Sequence, residues 1–162
     1  MLNFSTKVSQ NTDEGKSMSK RYDEWNEVKK ETDSLVAPIF KEREVYYMRL
    51  GDNVGHEQNG KGDKFVRPVI ILKRLSRDMF IGIPLSSQIK SGSFYHTVTF
   101  FKNGIETINN AIVAQIRLFS ARRLLNKIGM IHKDEFNELK KSVANLLNVT
   151  PPKESTGLPE GN

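Results

Sequence analysis

Apolar residues recur with helical spacing in two segments of the chain, one towards each end. In residues 21–33 they stand three apart among charged residues, which predicts one short amphipathic helix. Residues 134–147 carry lysines on the opposite face and acidic residues in the first turn, which suits the positive end of a helix dipole. His132 falls where the N-cap of this helix is expected. The apolar positions are Tyr22, Trp25 and Val28 in the first helix and Phe136, Leu139, Val143, Leu146 and Leu147 in the second.

The region between these helices is patterned for short β-strands. Runs of β-branched, aromatic and other apolar residues alternate with turn residues. Asn103-Gly104 predicts a type I′ hairpin, because both residues tolerate positive φ, and residues 119–125 predict a helical turn. The predicted strands are residues 45–50, 65–75, 79–85, 95–102, 105–108, 111–116 and 125–131. Several short strands and one terminal helix imply a mainly β fold, a small closed barrel with helical decoration.

These patterns divide the chain into four parts. Residues 1–20 and 149–162 are rich in polar residues or in Pro and Gly, and we expect both to be disordered. Residues 21–42 form the N-terminal helix and a connector, and residues 43–148 form the barrel. The helix with Trp25 has three possible roles: a regulatory lid, a dimer element or simple packing on the barrel. Packing is favoured, because exposed tryptophan stripes are uncommon.

Composition narrows the class of protein. The 162 residues suffice for one domain with a real core. The absence of cysteine excludes disulfides and thiol-based metal sites or nucleophiles. No apolar run is long enough to cross a membrane and residues 1–20 lack the apolar core of a signal peptide, so we expect a cytosolic protein without a membrane partner. A net charge of +6 favours a polyanionic partner, commonly nucleic acid, although an inert basic surface remains an alternative.

A glycine-punctuated polar loop, residues 51–64, joins the first two predicted strands. Its Gly60-Lys61-Gly62 lacks the spacing of a P-loop, and no helix follows it. A mobile connection is one interpretation of the loop. The concentration of His56, Glu57 and Gln58 favours a functional one.

Three further positions carry polar or charged groups suited to binding or catalysis, where predicted strands begin or end. Arg67, before Pro68 and an apolar strand, has a fork that matches phosphate, although a salt bridge to Glu57 would explain it equally well. Ser86-Ser87 places hydroxyls at a strand end, where they often cap turns. No His-Asp pair near them in sequence supports a catalytic triad. Gln115-Ile116-Arg117 ends another strand with an amide and a cation.

A metal centre is not expected. His56, His96 and His132 show no paired spacing with carboxylates, and thiols are absent. His96 is interpreted as an ordinary strand side chain. The sequence therefore predicts neither metal nor other cofactor.

Taken in order, these segments resemble the PemK/MazF family of bacterial toxin endoribonucleases over about two-thirds of the chain. No single piece is specific, but the ordered set is. The matching pieces are the opening strand Glu44-Val45-Tyr46-Tyr47 through Leu50-Gly51, the loop from Asn53 to Gln58, the strand Arg67-Pro68-Val69-Ile70-Ile71, the strand end Ile83-Pro84-Leu85-Ser86-Ser87, and Gln115-Ile116-Arg117 followed by Arg122-Arg123-Leu124.

The resemblance implies a compact SH3-like barrel of the PemK/CcdB type that forms a homodimer. It implies metal-independent cleavage of single-stranded RNA and neutralisation by a cognate antitoxin lying along the RNA groove. By position, the catalytic residues would be Arg67 as charge stabiliser and as proton donor to the leaving oxygen, Ser86 as phosphate hydrogen-bond partner and His56 as general acid or base. The RNA-binding residues would be Asn53, Glu57, Gln58, Ser87, Gln115 and Arg117.

Departures from the family pattern leave alternatives open. Some members carry an acidic residue where this chain has Ala114, and residues 59–66 lengthen the loop. A gyrase-poisoning toxin on the same barrel would be a non-catalytic protein binder, but that family relies on an aromatic C-terminal end, which residues 158–162 lack. A basic RNA-binding barrel without cleavage is the third possibility. Retention of Arg67 and a hydroxyl at Ser86 argues against it.

Overall fold

The structure, a computed structural model, describes residues 20–149. Apart from residues 20 and 149, the ends predicted to be disordered lie outside this range. Short 3-10 turns at Val113–Gln115 and Ala121–Arg123 complete the described part. The helices are α1 (Tyr22–Asp33) and α2 (Lys133–Leu146), and the strands are β1 (Glu44–Arg49), β2 (Val66–Arg74), β3 (Met79–Ser86), β4 (Tyr95–Lys102), β5 (Ile105–Ile112), β6 (Arg117–Ser120) and β7 (Leu124–Met130).

The strands form one antiparallel sheet that curls into a half-barrel. Their order is β4-β5-β3-β2-β1-β7, and β6 pairs with β3. The ends of this order meet at a bridge between Phe100 and Ile131. Gly129 permits the approach, because a Cβ atom there would lie 2.4 Å from Phe100 Cδ2. The mainly β prediction, with a C-terminal helix and an added N-terminal helix, is confirmed.

Two apolar clusters fill the space on either side of the sheet. Strand β2 contributes to both, since successive side chains of a strand point to opposite faces. Ile70 lies in the cluster that Phe136 and Leu139 of α2 cover, while Val69 and Ile71 lie in the other. The predicted amphipathic helix at residues 134–147 is confirmed, although Leu147 lies just beyond it and is exposed.

The local signals at the turns are confirmed as well. Asn103 and Gly104 have φ values of 52° and 78°, as a type I′ hairpin requires. The His132 side chain accepts a hydrogen bond from Asp134 N at 3.5 Å, so it caps α2 as predicted. The helical turn predicted at residues 119–125 is the 3-10 turn before β7.

The predicted separation of residues 105–108 from residues 111–116 was wrong. Strand β5 runs without a break through Asn109 and Asn110, which are both buried. Asn110 accepts a hydrogen bond from Thr97 Oγ1 at 3.1 Å and donates to Lys90 O at 2.6 Å. Polar side chains with such partners are tolerated inside a strand, whereas the sequence pattern treats them as a break.

Helix α1 packs on the barrel, as predicted. Trp25 and Val28 are buried, with the Trp25 and Phe65 ring centroids 5.5 Å apart. Tyr22, the third residue of the predicted stripe, remains 46% exposed. Glu31 pairs with the buried Arg49 at 2.8 Å. No helix within residues 20–149 is long and apolar enough to span a membrane.

Candidate functional site

A cleft of about 670 Å³ opens between the β1–β2 loop, the segment after β3 and the turn after β5. Arg67 at the start of β2 and Ser86 at the end of β3 both contribute to its lining, because the two strands are antiparallel neighbours. The fold therefore joins polar groups that are far apart in sequence. The polar and ionisable lining residues are His56, Gln58, Lys61, Arg67, Ser86, Gln88, Lys90, Tyr95 and Gln115.

The guanidinium of Arg67 is held in a fixed orientation. Its Nε donates to Asn59 O at 2.6 Å and its Nη1 to Leu85 O at 3.2 Å. With the Gln58 amide turned so that its oxygen faces the arginine, Nη2 donates to that oxygen at 2.8 Å. A guanidinium carries five N–H groups, and these bonds use three, so two have no partner within residues 20–149.

Arg67 is a largely buried cation. Only 9% of it is exposed, and burial lowers its pKa from the ordinary value. Its predicted alternative partner was wrong: Glu57 instead lies 3.8 Å from Arg117. Arginine remains protonated in proteins, so Arg67 keeps its positive charge in the cleft. The Glu57 carboxylate does not neutralise that charge, because it pairs with Arg117.

Ser86 lies at the end of β3 with its hydroxyl partly accessible. The Ser86 Oγ accepts a hydrogen bond from Gln88 N at 3.2 Å, the turn-capping role that its position also suggested. This bond leaves the hydroxyl hydrogen available for a further acceptor.

Gln115 connects the β1–β2 loop to the turn after β5. Its oxygen accepts from Gln58 N at 3.1 Å, and its Nε2 donates to His56 O at 3.1 Å. Asn53 acts within the same loop: its backbone N donates to Asn59 Oδ1 at 2.7 Å, and its Nδ2 donates to Gln58 O at 2.8 Å. These bonds shape the loop that brings His56 to the cleft.

Five of the nine predicted site residues line this cleft, namely His56, Gln58, Arg67, Ser86 and Gln115. The other four, Asn53, Glu57, Ser87 and Arg117, do not. Asn53 is engaged inside the loop, while the exposed Glu57 pairs with Arg117. Ser87 lines a neighbouring cleft instead.

The sequence analysis missed several cleft residues in the segment after β3 and in the lengthened loop. Lys61, Lys90, Phe94 and Tyr95 all line the cleft. Lys90 Nζ lies 5.8 Å from the centroid of the Tyr95 ring, and Phe94 is 57% exposed. A lysine and two aromatic residues in a polar stretch after Ser86 are typical of nucleic-acid binding, and that signal was present in the sequence.

The electrostatics of the cleft favour an anion. Its lining contains Lys61, Arg67 and Lys90 but no carboxylate, and Ala114 occupies the position at which some PemK/MazF proteins have an acid. Within residues 20–149, no group of three or more His, Asp or Glu side chains is arranged to hold a metal ion. The residues present can orient and neutralise an anion.

A curled half-barrel with a cationic cleft at its strand ends defines a small β protein suited to a polyanionic ligand. The chain belongs to the family of PemK-like, MazF-like toxins of type II toxin-antitoxin systems, whose sequence model matches residues 41–147. The resemblance drawn from the motifs is confirmed. No curated protein sequence matches the chain significantly.

Solved structures show the same fold. Toxin MazF-mt6 of Mycobacterium tuberculosis superposes with a TM-score of 0.51 at 13% identity, covering 67% of this chain and 100% of that one. MazF of Deinococcus radiodurans gives a TM-score of 0.51 at 20% identity, covering 70% of this chain and 98% of that one. Both matches include nearly the whole of the smaller protein, which leaves about a third of this chain as additional sequence.

Proposed function

We propose that this protein is a metal-independent, sequence-selective endoribonuclease that cleaves single-stranded RNA as the toxin of its system. The observation that carries the proposal is the buried Arg67, which has two N–H groups without a partner among residues 20–149, in the same cleft as the Ser86 hydroxyl. A planar cation that is already oriented by three protein acceptors can stabilise phosphoryl charge with little reorganisation.

The reaction requires no group that the chain lacks. The ribose 2′-oxygen attacks the adjacent phosphorus, the P–O5′ bond breaks, and the products carry a 2′,3′-cyclic phosphate and a 5′-hydroxyl. One proton leaves the 2′-hydroxyl and one reaches the departing 5′-oxygen. DNA lacks the attacking hydroxyl and should be spared.

The cleft residues can divide these tasks. Arg67 would bind the non-bridging oxygens and stabilise the charge that grows on them, and Ser86 would donate a hydrogen bond to the same phosphate. His56 is the lining residue of the type that exchanges protons near neutral pH. With Ala114 in place of an acid, His56 is our candidate to accept the 2′-hydroxyl proton, and Arg67 is our candidate to donate the proton that reaches the 5′-oxygen.

Cleavage in the absence of divalent metal tests the proposal. Purified protein is incubated with a long single-stranded RNA in EDTA, the new 5′ ends are mapped, and the 3′ ends are analysed for cyclic phosphate. We expect cuts at a short defined sequence, none in the corresponding DNA, and a loss of about 100-fold or more in rate for Arg67→Ala. Arg77→Ala, an exposed arginine outside the cleft, is the matched control.

Two outcomes count against the proposal. Absence of site-specific cuts would indicate a non-catalytic toxin or an RNA-binding barrel. Defined cuts that persist in Arg67→Ala would retain the nuclease and remove Arg67 from its mechanism.

The partners that we propose are supported by the family and by the same cleft. Because this is the toxin family of type II toxin-antitoxin systems, we propose a cognate antitoxin that blocks RNA access and a homodimeric toxin. Titrating the antitoxin into the cleavage assay tests the first, and sedimentation equilibrium tests the second. Cleavage that continues at saturating antitoxin would overturn the proposed neutralisation. A monomer at micromolar concentration would overturn the proposed homodimer.

A further inference from the structure

Two of the three acceptors that orient Arg67 belong to the β1–β2 loop. They are Asn59 O and, in the amide orientation that faces the arginine, the Gln58 side-chain oxygen. The third acceptor, Leu85 O, lies on β3. The alignment of the guanidinium therefore depends on the conformation of the loop at the residues that carry the first two acceptors.

The stretch of loop that contains these two acceptors is joined to the beginning of the loop. Asn53 N donates to Asn59 Oδ1 at 2.7 Å, and Asn53 Nδ2 donates to Gln58 O at 2.8 Å. Gly60 N donates to Gly51 O at 2.7 Å. A shift of the first stretch would therefore break the bonds that shape the second.

The beginning of the loop is in turn anchored to the start of α1 through Asp52. Its Oδ2 accepts a hydrogen bond from Arg21 N at 2.6 Å, and its Oδ1 lies 3.3 Å from Lys20 Nζ. Lys20 Nζ also donates to Asn53 O at 2.8 Å. The Asp52 side chain is only 10% exposed, and hydrogen bonds to a carboxylate are stronger than those between neutral groups. Residues 20–33 precede the part of the chain that matches the family model, so the anchor is contributed by sequence added to the barrel.

We propose that Asp52 is a positioning residue of the cleavage site, through which α1 holds the loop in the conformation that aligns Arg67. The inference rests on the proposed RNA cleavage and adds to it a role for the N-terminal segment. Without the Asp52 carboxylate the loop loses its anchor, and Arg67 loses the fixed acceptors that keep its guanidinium oriented in the cleft. A misplacement of about 1 Å in a group that acts on the transition state costs on the order of 100-fold in rate, so the chemical step suffers more than the binding of RNA.

Steady-state cleavage of a defined single-stranded RNA in EDTA, with the full-length protein, tests the inference. Asp52→Ala should lower kcat by about 10- to 100-fold and change KM by less than about 2-fold. Asp52→Asn keeps an oxygen that can accept from Arg21 N, so it should recover most of the lost kcat. Asp63→Ala is the matched control, because Asp63 stands in the same loop and lies 3.3 Å from Arg21 Nη2 but is 96% exposed. It should leave kcat and KM unchanged.

A second measurement does not require cleavage. In NMR spectra of nitrogen-labelled protein, the Arg67 Nε–H, which donates to Asn59 O, should exchange slowly with water in the wild type and in Asp63→Ala. Its exchange should be faster in Asp52→Ala, because the loop that carries the acceptor is released. The signal is assigned by its absence from the spectrum of Arg67→Lys.

Either a wild-type kcat or wild-type exchange at Arg67 in Asp52→Ala overturns the inference. A loss confined to KM also overturns it, as does a loss of activity only in proportion to the unfolded fraction by circular dichroism, which would make Asp52 structural. If the wild type does not cleave RNA, the proposed function fails, but the exchange at Arg67 still decides the inference. Acceleration confined to Asp52→Ala supports the anchor, and equal exchange in the wild type and both alanine variants rejects it.

Discussion

The indole ring of Trp25 lies directly against Gly51, so close that a Cβ atom on residue 51 would come within 2.7 Å of Trp25 Cε2. Gly51 has a φ of +107°, which glycine adopts more readily than other residues. Because Gly51 begins the β1–β2 loop, α1 rests on the segment that leads to His56. The added N-terminal helix is thus in contact with one wall of the candidate site.

Replacing Gly51 tests this contact. Gly51→Ala adds a methyl group against a buried ring and strains the backbone, so we expect the free energy of unfolding to fall by about 1–3 kcal/mol, measured by urea denaturation. Gly92→Ala is the matched control, because its φ of +115° is similar and nothing lies within 4 Å of the added Cβ. Equal losses in the two variants would attribute the whole effect to backbone strain.

Removing the indole should loosen the loop. Trp25→Ala deletes a side chain that packs on Phe65 and lies under Arg123, whose Cζ is 5.4 Å from the ring. We expect faster hydrogen exchange at the amides of Gly60 and Val66, which bond within the loop. Tyr22→Ala on the same helix should leave their exchange unchanged, since Tyr22 is 46% exposed. Unchanged exchange in both variants would show that α1 does not restrain the loop.

Local patterns in the sequence predicted most elements correctly, because their signals are local. Asn103-Gly104 specifies its own turn, and the apolar face of α2 repeats within the helix. The break predicted within β5 was wrong because the contacts that decide it are not local in sequence. Asn110 is accommodated by Thr97 and Lys90, and those partners are contributed by tertiary structure rather than by neighbouring sequence.

The candidate site was predictable only in part. Arg67 and Ser86 stand beside strand ends, where the pattern of apolar runs points to them. The alternative interpretation, a salt bridge between Arg67 and Glu57, was wrong, because pairing depends on how the loop folds and Arg117 lies nearer to Glu57.

The geometry around Arg67 predicts that lysine will not replace it. Arg67→Lys keeps the charge but cannot donate to Asn59 O, Leu85 O and the Gln58 amide from one planar group while also binding phosphate. We expect cleavage to fall by about 100-fold or more, with circular dichroism unchanged. Lys64→Arg is a control for arginine–lysine exchange, since Lys64 is exposed and lines neither cleft. Near wild-type activity of Arg67→Lys would show that charge alone is needed.

His96 should make the fold less stable in mild acid. Burial lowers the pKa of His96 below its ordinary value, partly offset by Glu135 and Glu138, and its Nδ1 lies 2.7 Å from Ser142 Oγ. As the pH falls through about 6.5, the unfolded chain binds a proton that the folded chain resists. The free energy of unfolding therefore falls on acidification. It stops falling once the pH is also below the folded-state pKa of His96.

Replacing this histidine should remove that part of the pH dependence. We expect the free energy of unfolding, measured by urea denaturation, to fall more between pH 7.5 and pH 5 in the wild type than in His96→Gln. His132→Asn keeps an N-cap side chain on α2 and controls for the loss of a histidine elsewhere. If the difference between wild type and His96→Gln is the same at both pH values, burial of His96 does not contribute to acid sensitivity.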